Sequence, residues 1–181
     1  MAQTPYVALL RGINVGGKNK VPMADLREVF ETAGHADVST YIQSGNVLFR
    51  SGSSGPALEK EIEAQLEKRF KVPLVVVVRS LRQLRTVVEK APSGFGAEPD
   101  TFHSDVVFLR APLTPAQAMK VVKLRDGVDQ AWAANGVVYF QRLSAERTKS
   151  RMSAIVGTRE YQQMTIRNWR TTTKLLGLLD T

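Results

Sequence analysis

The stretch PYVALLR at residues 5–11 decides the fold, because it is a near-continuous apolar run. A run of this length and composition predicts a central strand that is covered on both faces. A glycine-rich loop follows at residues 12–20. Apolar residues then recur at spacings of three and four over residues 23–33, which predicts one face of a helix that ends at Gly34.

Four further segments complete a first structural unit. They are a strand at residues 38–42, a strand at 47–49, a helix with an apolar residue at every fourth position over 58–70, and a strand at 74–78. The resulting order, β-α-β-β-α-β, is the split βαβ arrangement of a ferredoxin-like unit. We therefore predict an α+β fold in which residues 1–80 form a ferredoxin-like half.

Residues 81–103 are predicted to link this half to a second one. Ser80 begins a capping-box pattern for a linking helix, and residues 92–103 are rich in glycine and proline. The glycine and proline content favours a loop over this second part, which includes His103. The link is thus expected to consist of one helix and one irregular segment.

Residues 104–181 are predicted to form a second ferredoxin-like half with a C-terminal helix. A helix is expected to start at Thr114, and Asn135-Gly136 is typical of a tight hairpin. The apolar residues of 152–156 suit a further helix. The repeated order of strands and helices is compatible with an internal structural duplication, although no residue identity between the halves is evident.

The composition excludes several classes of protein. The chain has 181 residues, of which 43% are hydrophobic, so a sizeable core is expected and wholesale disorder is not. No run of about 18 apolar residues is present, and we therefore expect no membrane span. The N-terminus shows no secretory signal pattern, and the absence of cysteine excludes disulfides, zinc fingers and thiol catalysis. A cytoplasmic protein is expected, and its oligomeric state stays open.

The positive charge is concentrated in the C-terminal part of the chain. The formal net charge is +8, and residues 142–181 hold eight basic and three acidic residues. A concentrated positive field favours anionic partners, either nucleic acid or a phosphate-containing small molecule. Many soluble proteins are mildly basic for no specific reason, so charge alone does not decide between partners.

The first candidate site is the glycine-rich loop after the first strand. Its sequence at residues 12–19, GINVGGKN, nearly fits the phosphate-loop pattern GxxxxGK[ST]. Asn19 stands where a hydroxyl residue would hold magnesium, and Pro22 separates the loop from the helix. A looser anion-binding loop and a tight turn that needs positive φ both stay open, and the turn is favoured. The candidate residues are Arg11, Gly12, Asn14, Gly16, Gly17, Lys18 and Asn19.

Two further polar segments are candidate anion sites. The segment Ser44-Gly45-Asn46 has side chains that a ligand could use, but a hairpin turn explains its composition and is favoured. The segment at residues 167–174, RNWRTTTK, predicts a helix start with free N–H groups surrounded by basic side chains. Its tryptophan could stack on a base, although a core position is favoured. The candidate residues here are Arg167, Asn168, Trp169, Arg170, Thr171 and Lys174.

Residue patterns for other chemistry are missing from the sequence. His35 and His103 lie in no metal-like cluster, and no catalytic motif with a serine nucleophile or paired carboxylates is recognisable. Glu59, Glu63 and their neighbours have ordinary spacing for the surface of a helix. We therefore expect no metal and no cofactor, and the catalytic residues stay unassigned.

Four blocks of the chain together resemble the bacterial domain-of-unknown-function family numbered 1697. They are RGINVGGKNKVPM at residues 11–23, TYIQSGNVLF at 40–49, VRS at 78–80 and RNWRTTTKLL at 167–176. The first, second and fourth blocks are specific, and the resemblance covers essentially the whole chain. It implies an α+β fold with ferredoxin-like halves, and it implies no established activity, substrate or catalytic residue.

Three functions remain as hypotheses. The leading one is a cytosolic protein that binds an anionic ligand, either nucleic acid or a nucleotide-like phosphate. The second is a small enzyme that acts on a phosphate or acyl-phosphate substrate, with Arg11 and either Asn14 or Asn46 stabilising the phosphoryl group together with backbone N–H groups. The third is a non-enzymatic interaction or regulatory protein.

Overall fold

The computed structural model describes residues 2–181, which form two four-stranded antiparallel sheets with helices. The strands are β1 (Thr4–Leu10), β2 (Ala36–Tyr41), β3 (Asn46–Ser51), β4 (Val76–Ser80), β5 (Phe102–Leu109), β6 (Asp129–Ala134), β7 (Val137–Leu143) and β8 (Met164–Asn168). The α-helices are α1 (Met23–Thr32), α2 (Gly55–Phe70), α3 (Leu81–Glu89), α4 (Pro115–Val121) and α5 (Trp169–Leu179). The predicted α+β fold class is confirmed.

The chain divides into two compact units. The first unit consists of the residues up to Arg85 together with Leu175–Thr181, and the second unit is Thr86–Lys174. Helices α3 and α5 therefore each contribute residues to both units. The strand order is β2-β3-β1-β4 in the first unit and β6-β7-β5-β8 in the second, so the two sheets place their strands in the same order.

Strand β1 is the centre of the first unit. It pairs with β3 on one side and β4 on the other, both antiparallel. Ala8 and Leu10 lie in a core cluster with Leu26 of α1 and Leu58 of α2, and Leu9 on the opposite face is also fully buried. Burial of both faces is what the apolar run predicts, and it explains why this stretch has no polar side chain between its ends.

Two glutamates of α2 hydrogen-bond the outer edge of β4. Glu59 accepts from the backbone N–H of Val78 at 3.0 Å, and Glu63 accepts from the N–H of Val76 at 2.9 Å. Their spacing of four on the helix matches a spacing of two on the strand, since both are about 6 Å. These N–H groups point away from β1, and the two carboxylates take the place of a fifth strand.

Glu59 is buried, which the ordinary spacing of the glutamates on α2 does not predict. It lies beside the guanidinium of Arg79, whose pKa is lowered by burial and raised by the charge of Glu59. A buried carboxylate is stable only when it is paired and hydrogen-bonded, and the edge of β4 supplies both conditions.

The second unit has its core between the sheet and α4. Val107, Val138 and Phe140 pack with Ala118 of α4, which is fully buried. Helix α4 begins with a complete capping box, in which the Thr114 side chain accepts from Gln117 N. The predicted helix start is confirmed, as is the tight hairpin between β6 and β7.

One predicted helix of the second unit is replaced by three 3₁₀ turns. They are Ser144–Lys149, Met152–Ile155 and Glu160–Gln163. The Thr158 hydroxyl donates to the carbonyl of Ile155 at 2.6 Å, and a side chain that takes up this carbonyl competes with helical hydrogen bonding. Met152 and Ile155 are buried as an apolar face requires, whereas Val156 is 55% exposed.

We expect Glu59→Ala to destabilise the protein, because Val78 N loses its hydrogen bond and the buried guanidinium of Arg79 loses the charge of Glu59 beside it. The free energy of unfolding should fall by about 2 kcal/mol, measured by urea denaturation. Glu67→Ala on the exposed part of the same helix is the matched control and should change it by less than about 0.5 kcal/mol. Equal effects of the two substitutions would show that the edge contacts do not stabilise the sheet.

Candidate functional site

The glycine-rich loop after β1 is a small hairpin rather than a phosphate loop. Val15 and Lys18 form an antiparallel bridge, and Lys18 N donates back to Val15 O at 3.0 Å. Gly16 and Gly17 between them have φ of 58° and 76°, and positive φ at both central positions is the geometry of a type I′ turn. The lysine N–H therefore faces into the turn, and the loop forms the turn that the sequence favours.

The side chains of Asn14 and Asn19 hold this hairpin on the sheet. Asn14 Nδ2 donates to the carbonyls of Val21 at 3.0 Å and Gln43 at 2.8 Å, while Asn14 Oδ1 accepts from Val21 N at 2.8 Å. Asn19 Nδ2 donates to Gly12 O at 3.2 Å. Both donor hydrogens and the oxygen of the Asn14 amide are thus hydrogen-bonded to the backbone of Val21 and Gln43.

The segment of residues 44–46 lies against the base of the hairpin. Leu10 N donates to Gly45 O at 2.9 Å, and a Cβ at Gly45 would lie 2.6 Å from Ile13 Cδ1. Asn46 is fully buried and its Nδ2 donates to Tyr41 O and Ser44 Oγ. The first two candidate segments therefore come together, with their amides in structural hydrogen bonds.

A cavity of about 330 Å³ opens beside the hairpin. Its lining residues are Asn14, Gly17, Lys20, Val21, Pro22, Met23 and Gln43. Lys20 supplies a positive charge there, whereas Arg11 and Lys18 do not line this cavity. Asp25 in the first turn of α1 places a carboxylate at the same helix end, which weakens the attraction of that end for an anion.

The third candidate segment forms the junction of β8 and α5. Asn168 is the last residue of β8, and its Oδ1 accepts from Thr171 N at 2.8 Å, which confirms the predicted cap and places Thr171 in the first turn. Thr171 and Thr172 are buried. The Thr172 hydroxyl donates to Asn168 O at 2.9 Å, so a second hydrogen bond links Asn168 to the start of α5.

A second cavity, of about 300 Å³, lies at this junction, and we call it the α5 cavity. Its lining residues are Gly96, Pro99, Phe102, His103, Ser104, Asn168, Trp169 and Arg170. It exists because β8 ends at Asn168, which is the pairing partner of Asp105 on β5. The first residues of β5 thus extend beyond β8, and the first turn of α5 and the segment before β5 surround them.

His103 and Asp105 form a hydrogen-bonded pair at the α5 cavity. His103 Nε2 lies 3.2 Å from Asp105 Oδ1, and the two side chains share one face of β5 because they are two residues apart. The pKa of the Asp105 carboxyl is raised by burial, against the opposing effects of His103 and Arg142. The His103 side chain is 38% exposed, so one side of the pair is buried and the other is accessible.

This pair is not predicted from the sequence, because the glycine and proline content of residues 92–103 favours a loop that includes His103. Strand β5 begins at Phe102, so the last two residues of the predicted irregular segment belong to the sheet. The spacing of His103 and Asp105 indicates a shared face only once the strand is known. The sequence feature that indicates the pair is the spacing of two between His103 and Asp105, directly before the apolar residues of the same strand.

Trp169 lies between the core and the cavity. Its ring meets that of Phe95 edge-to-face, with centroids 5.1 Å apart, and its indole lies directly against Gly96. The residue is half-buried, which is consistent with the favoured core position. Its contact with the α5 cavity leaves one edge of the ring available to a ligand.

The remaining residues of the third segment lie elsewhere. Arg167 is buried, and burial lowers its pKa to about 10. Its Nη1 donates to Thr165 Oγ1 and Ile166 O, both at 2.9 Å. Arg167 and the exposed Lys174 do not line the cavity, so Arg170 is the arginine that faces it.

The described residues contain neither a metal-binding cluster nor a membrane-spanning helix. Between residues 2 and 181, no group of three or more His, Cys, Asp or Glu side chains is placed to hold a metal ion. No helix in the same range has the length and hydropathy needed to span a membrane.

The two sheets and the α5 cavity define an α+β protein with a small, mainly apolar cavity at a strand-to-helix junction, a class whose chemistry does not follow from its fold. Within this class, the chain belongs to the family described as "Protein of unknown function (DUF1697)", which matches residues 3–139. The predicted family is thereby confirmed, and the first three of the four sequence blocks lie within the matched residues.

A solved structure supports the same assignment. The chain is similar to the conserved bacterial protein SP0830 from Streptococcus pneumoniae, with 28% sequence identity and a TM-score of 0.83. The similarity covers 98% of this chain and 99% of that one. No curated protein matches the chain in sequence.

We expect Gly96→Ala to displace Trp169 from the wall of the cavity. A Cβ at Gly96 would lie 2.7 Å from the indole Cγ, whereas at Gly94 it would meet no atom within 4 Å. Both glycines have positive φ, so Gly94→Ala controls for backbone strain. Gly96→Ala should lower the free energy of unfolding by about 2 kcal/mol more than Gly94→Ala does. Urea denaturation followed by tryptophan fluorescence measures both, and equal costs would contradict the packing described.

Proposed function

We propose that the protein binds a small phosphate-bearing anion in the α5 cavity. One observation carries the proposal: Arg170 and His103 line a single cavity at the first turn of α5. Arg170 is exposed and the His103 side chain is 38% exposed, so both side chains can contact a ligand there.

The electrostatics of the α5 cavity favour an anion. The first turn of α5 contains no acidic residue, so the positive end of the helix dipole is not neutralised. Arg170 adds a guanidinium, which suits the oxygens of a phosphate group. The carboxylate of Asp105, which contacts the cavity residue His103, already has a partner in that histidine.

The size of the site favours a small ligand over a polymer. A cavity of about 300 Å³ is at the lower limit of typical small-molecule sites. Nucleic acid is the second candidate, because the segment of residues 142–181 carries a net charge of +5. Binding of this kind would depend on exposed cations and would weaken steeply with salt.

The proposal also includes the predicted location of the protein and the predicted type of its two halves. We propose a cytoplasmic location, which rests on the absence of cysteine. We also propose that the two sheets represent ferredoxin-like halves, which is supported by their identical strand order. A non-enzymatic interaction function would be favoured if no anion bound.

The test is calorimetric titration with inorganic phosphate, compared with short RNA and DNA, at low and high salt. Phosphate should bind saturably and raise the melting temperature at both salt concentrations. Arg170→Gln should weaken phosphate binding at least about tenfold, because a charged hydrogen bond is lost. Arg159→Gln, an exposed arginine outside the cavity, is the matched control and should change it less than about twofold.

Two results would contradict the proposal. Absence of phosphate binding at low salt would exclude the small-anion site. Binding of RNA or DNA alone, lost at high salt and equally weakened by Arg170→Gln and Arg159→Gln, would favour general nucleic-acid binding instead.

A further inference from the structure

We infer that the α5 cavity hydrolyses small acyl phosphates, with His103 as the general base. This inference rests on the proposed anion site and assigns it a substrate class. Its basis is that His103 and Arg170 line one cavity and that Asp105 contacts the imidazole of His103, together with the chemistry that a single acid–base group allows.

The contact with Asp105 orients the imidazole of His103. A hydrogen bond from Nε2 to the buried carboxylate at 3.2 Å places the ring proton on Nε2. Nδ1 is then an acceptor that can remove a proton from water. Asp105 is a positioning residue in this arrangement, since it acts through His103.

Two cationic side chains lie near His103. Arg142 on β7 is the direct pairing partner of His103 across the sheet, and Arg170 lines the same cavity from α5. The imidazole therefore has these cations near it as well as the carboxylate of Asp105 on its own strand.

The cavity contains one group able to transfer a proton near neutral pH. Among its lining residues, His103 is the only side chain of this kind. An alkyl phosphate needs an acid to protonate the departing alkoxide, and the cavity supplies no second group for that step. An acyl phosphate releases a carboxylate, which is stable without a proton. The site therefore fits a mixed anhydride of a carboxylic acid and phosphoric acid.

The proposed step balances without a further reactant. The oxygen of a water molecule bonds to phosphorus, and the bond from phosphorus to the acyl oxygen breaks. One proton of the water passes to His103 Nδ1, and the electron pair of the broken bond leaves with the carboxylate. His103 then releases its proton to solvent, and the products are a carboxylate and inorganic phosphate.

The remaining walls of the cavity have roles in binding. Arg170 lines the cavity and supplies a guanidinium for the phosphoryl oxygens. The rings of Phe102 and Trp169 provide an apolar surface for the acyl group. A volume of about 300 Å³ restricts that group to a small one, such as acetyl or benzoyl.

The experiment measures phosphate release from acetyl phosphate and benzoyl phosphate, with ethyl phosphate as the substrate whose alkoxide leaving group needs acid assistance. The protein should hydrolyse the two acyl phosphates well above the spontaneous rate and the alkyl ester much more slowly. His103→Gln should lower kcat by about 100-fold or more, with a much smaller effect on KM. His35→Gln, at the other histidine of the chain, is the matched control and should leave kcat unchanged.

The pH profile of the unmodified protein gives a readout that does not depend on any variant. The value of kcat/KM should rise with pH along a single ionisation, because a general base acts only in its deprotonated form. Asp105→Asn should lower kcat with little change in KM, because it disturbs orientation rather than binding. Thermal melting of each variant confirms that it is folded.

The outcomes separate this inference from the proposed function. Phosphate binding without acyl phosphate turnover overturns the inference and leaves the anion site standing. Absence of both overturns the two together. Turnover that His103→Gln does not reduce, or equal rates with ethyl phosphate, also overturns the inference.

Discussion

The hydrogen bond from Thr171 N to the side chain of Asn168 fixes the point at which β8 stops and α5 starts. Asn168 is the last residue of β8 and pairs with Asp105 of β5. The first three residues of β5 therefore have no pairing partner on β8. Those residues, Phe102 to Ser104, are left with a helix end beside them in place of a strand. The α5 cavity, the position of Arg170 and the exposure of His103 all follow from that one register.

Much of the fold could be predicted from local sequence, because its signals act over a few residues. The apolar run of residues 5–11, the cap at Thr114 and the hairpin at Asn135-Gly136 each specify their own backbone. The cap at Asn168 was predictable for the same reason. The candidate site was predicted only in its α5 half, since Asn168, Trp169 and Arg170 are consecutive.

The rest depended on contacts between distant segments. Glu59 and Glu63 reach the edge of β4 only when α2 packs with a particular register on the sheet, and their spacing alone is that of any solvated helix. The His103–Asp105 pair depends on β5 beginning at Phe102 within a glycine- and proline-rich context. The glycine-rich loop shows the converse case, since a pattern close to a phosphate loop forms a type I′ turn held by Asn14.

The two edges of the first sheet have a consequence for assembly. On the β4 side, the carboxylates of α2 occupy the N–H groups that an incoming strand would need. On the β2 side, the pairing with β3 is irregular between Ala36 and Ser39, and Asp37 there has a φ of 50°. A strand edge that has irregular pairing and carries a charged side chain does not readily pair with a strand of another chain. The first sheet is therefore protected on both sides against the strand-by-strand stacking that leads to fibrils.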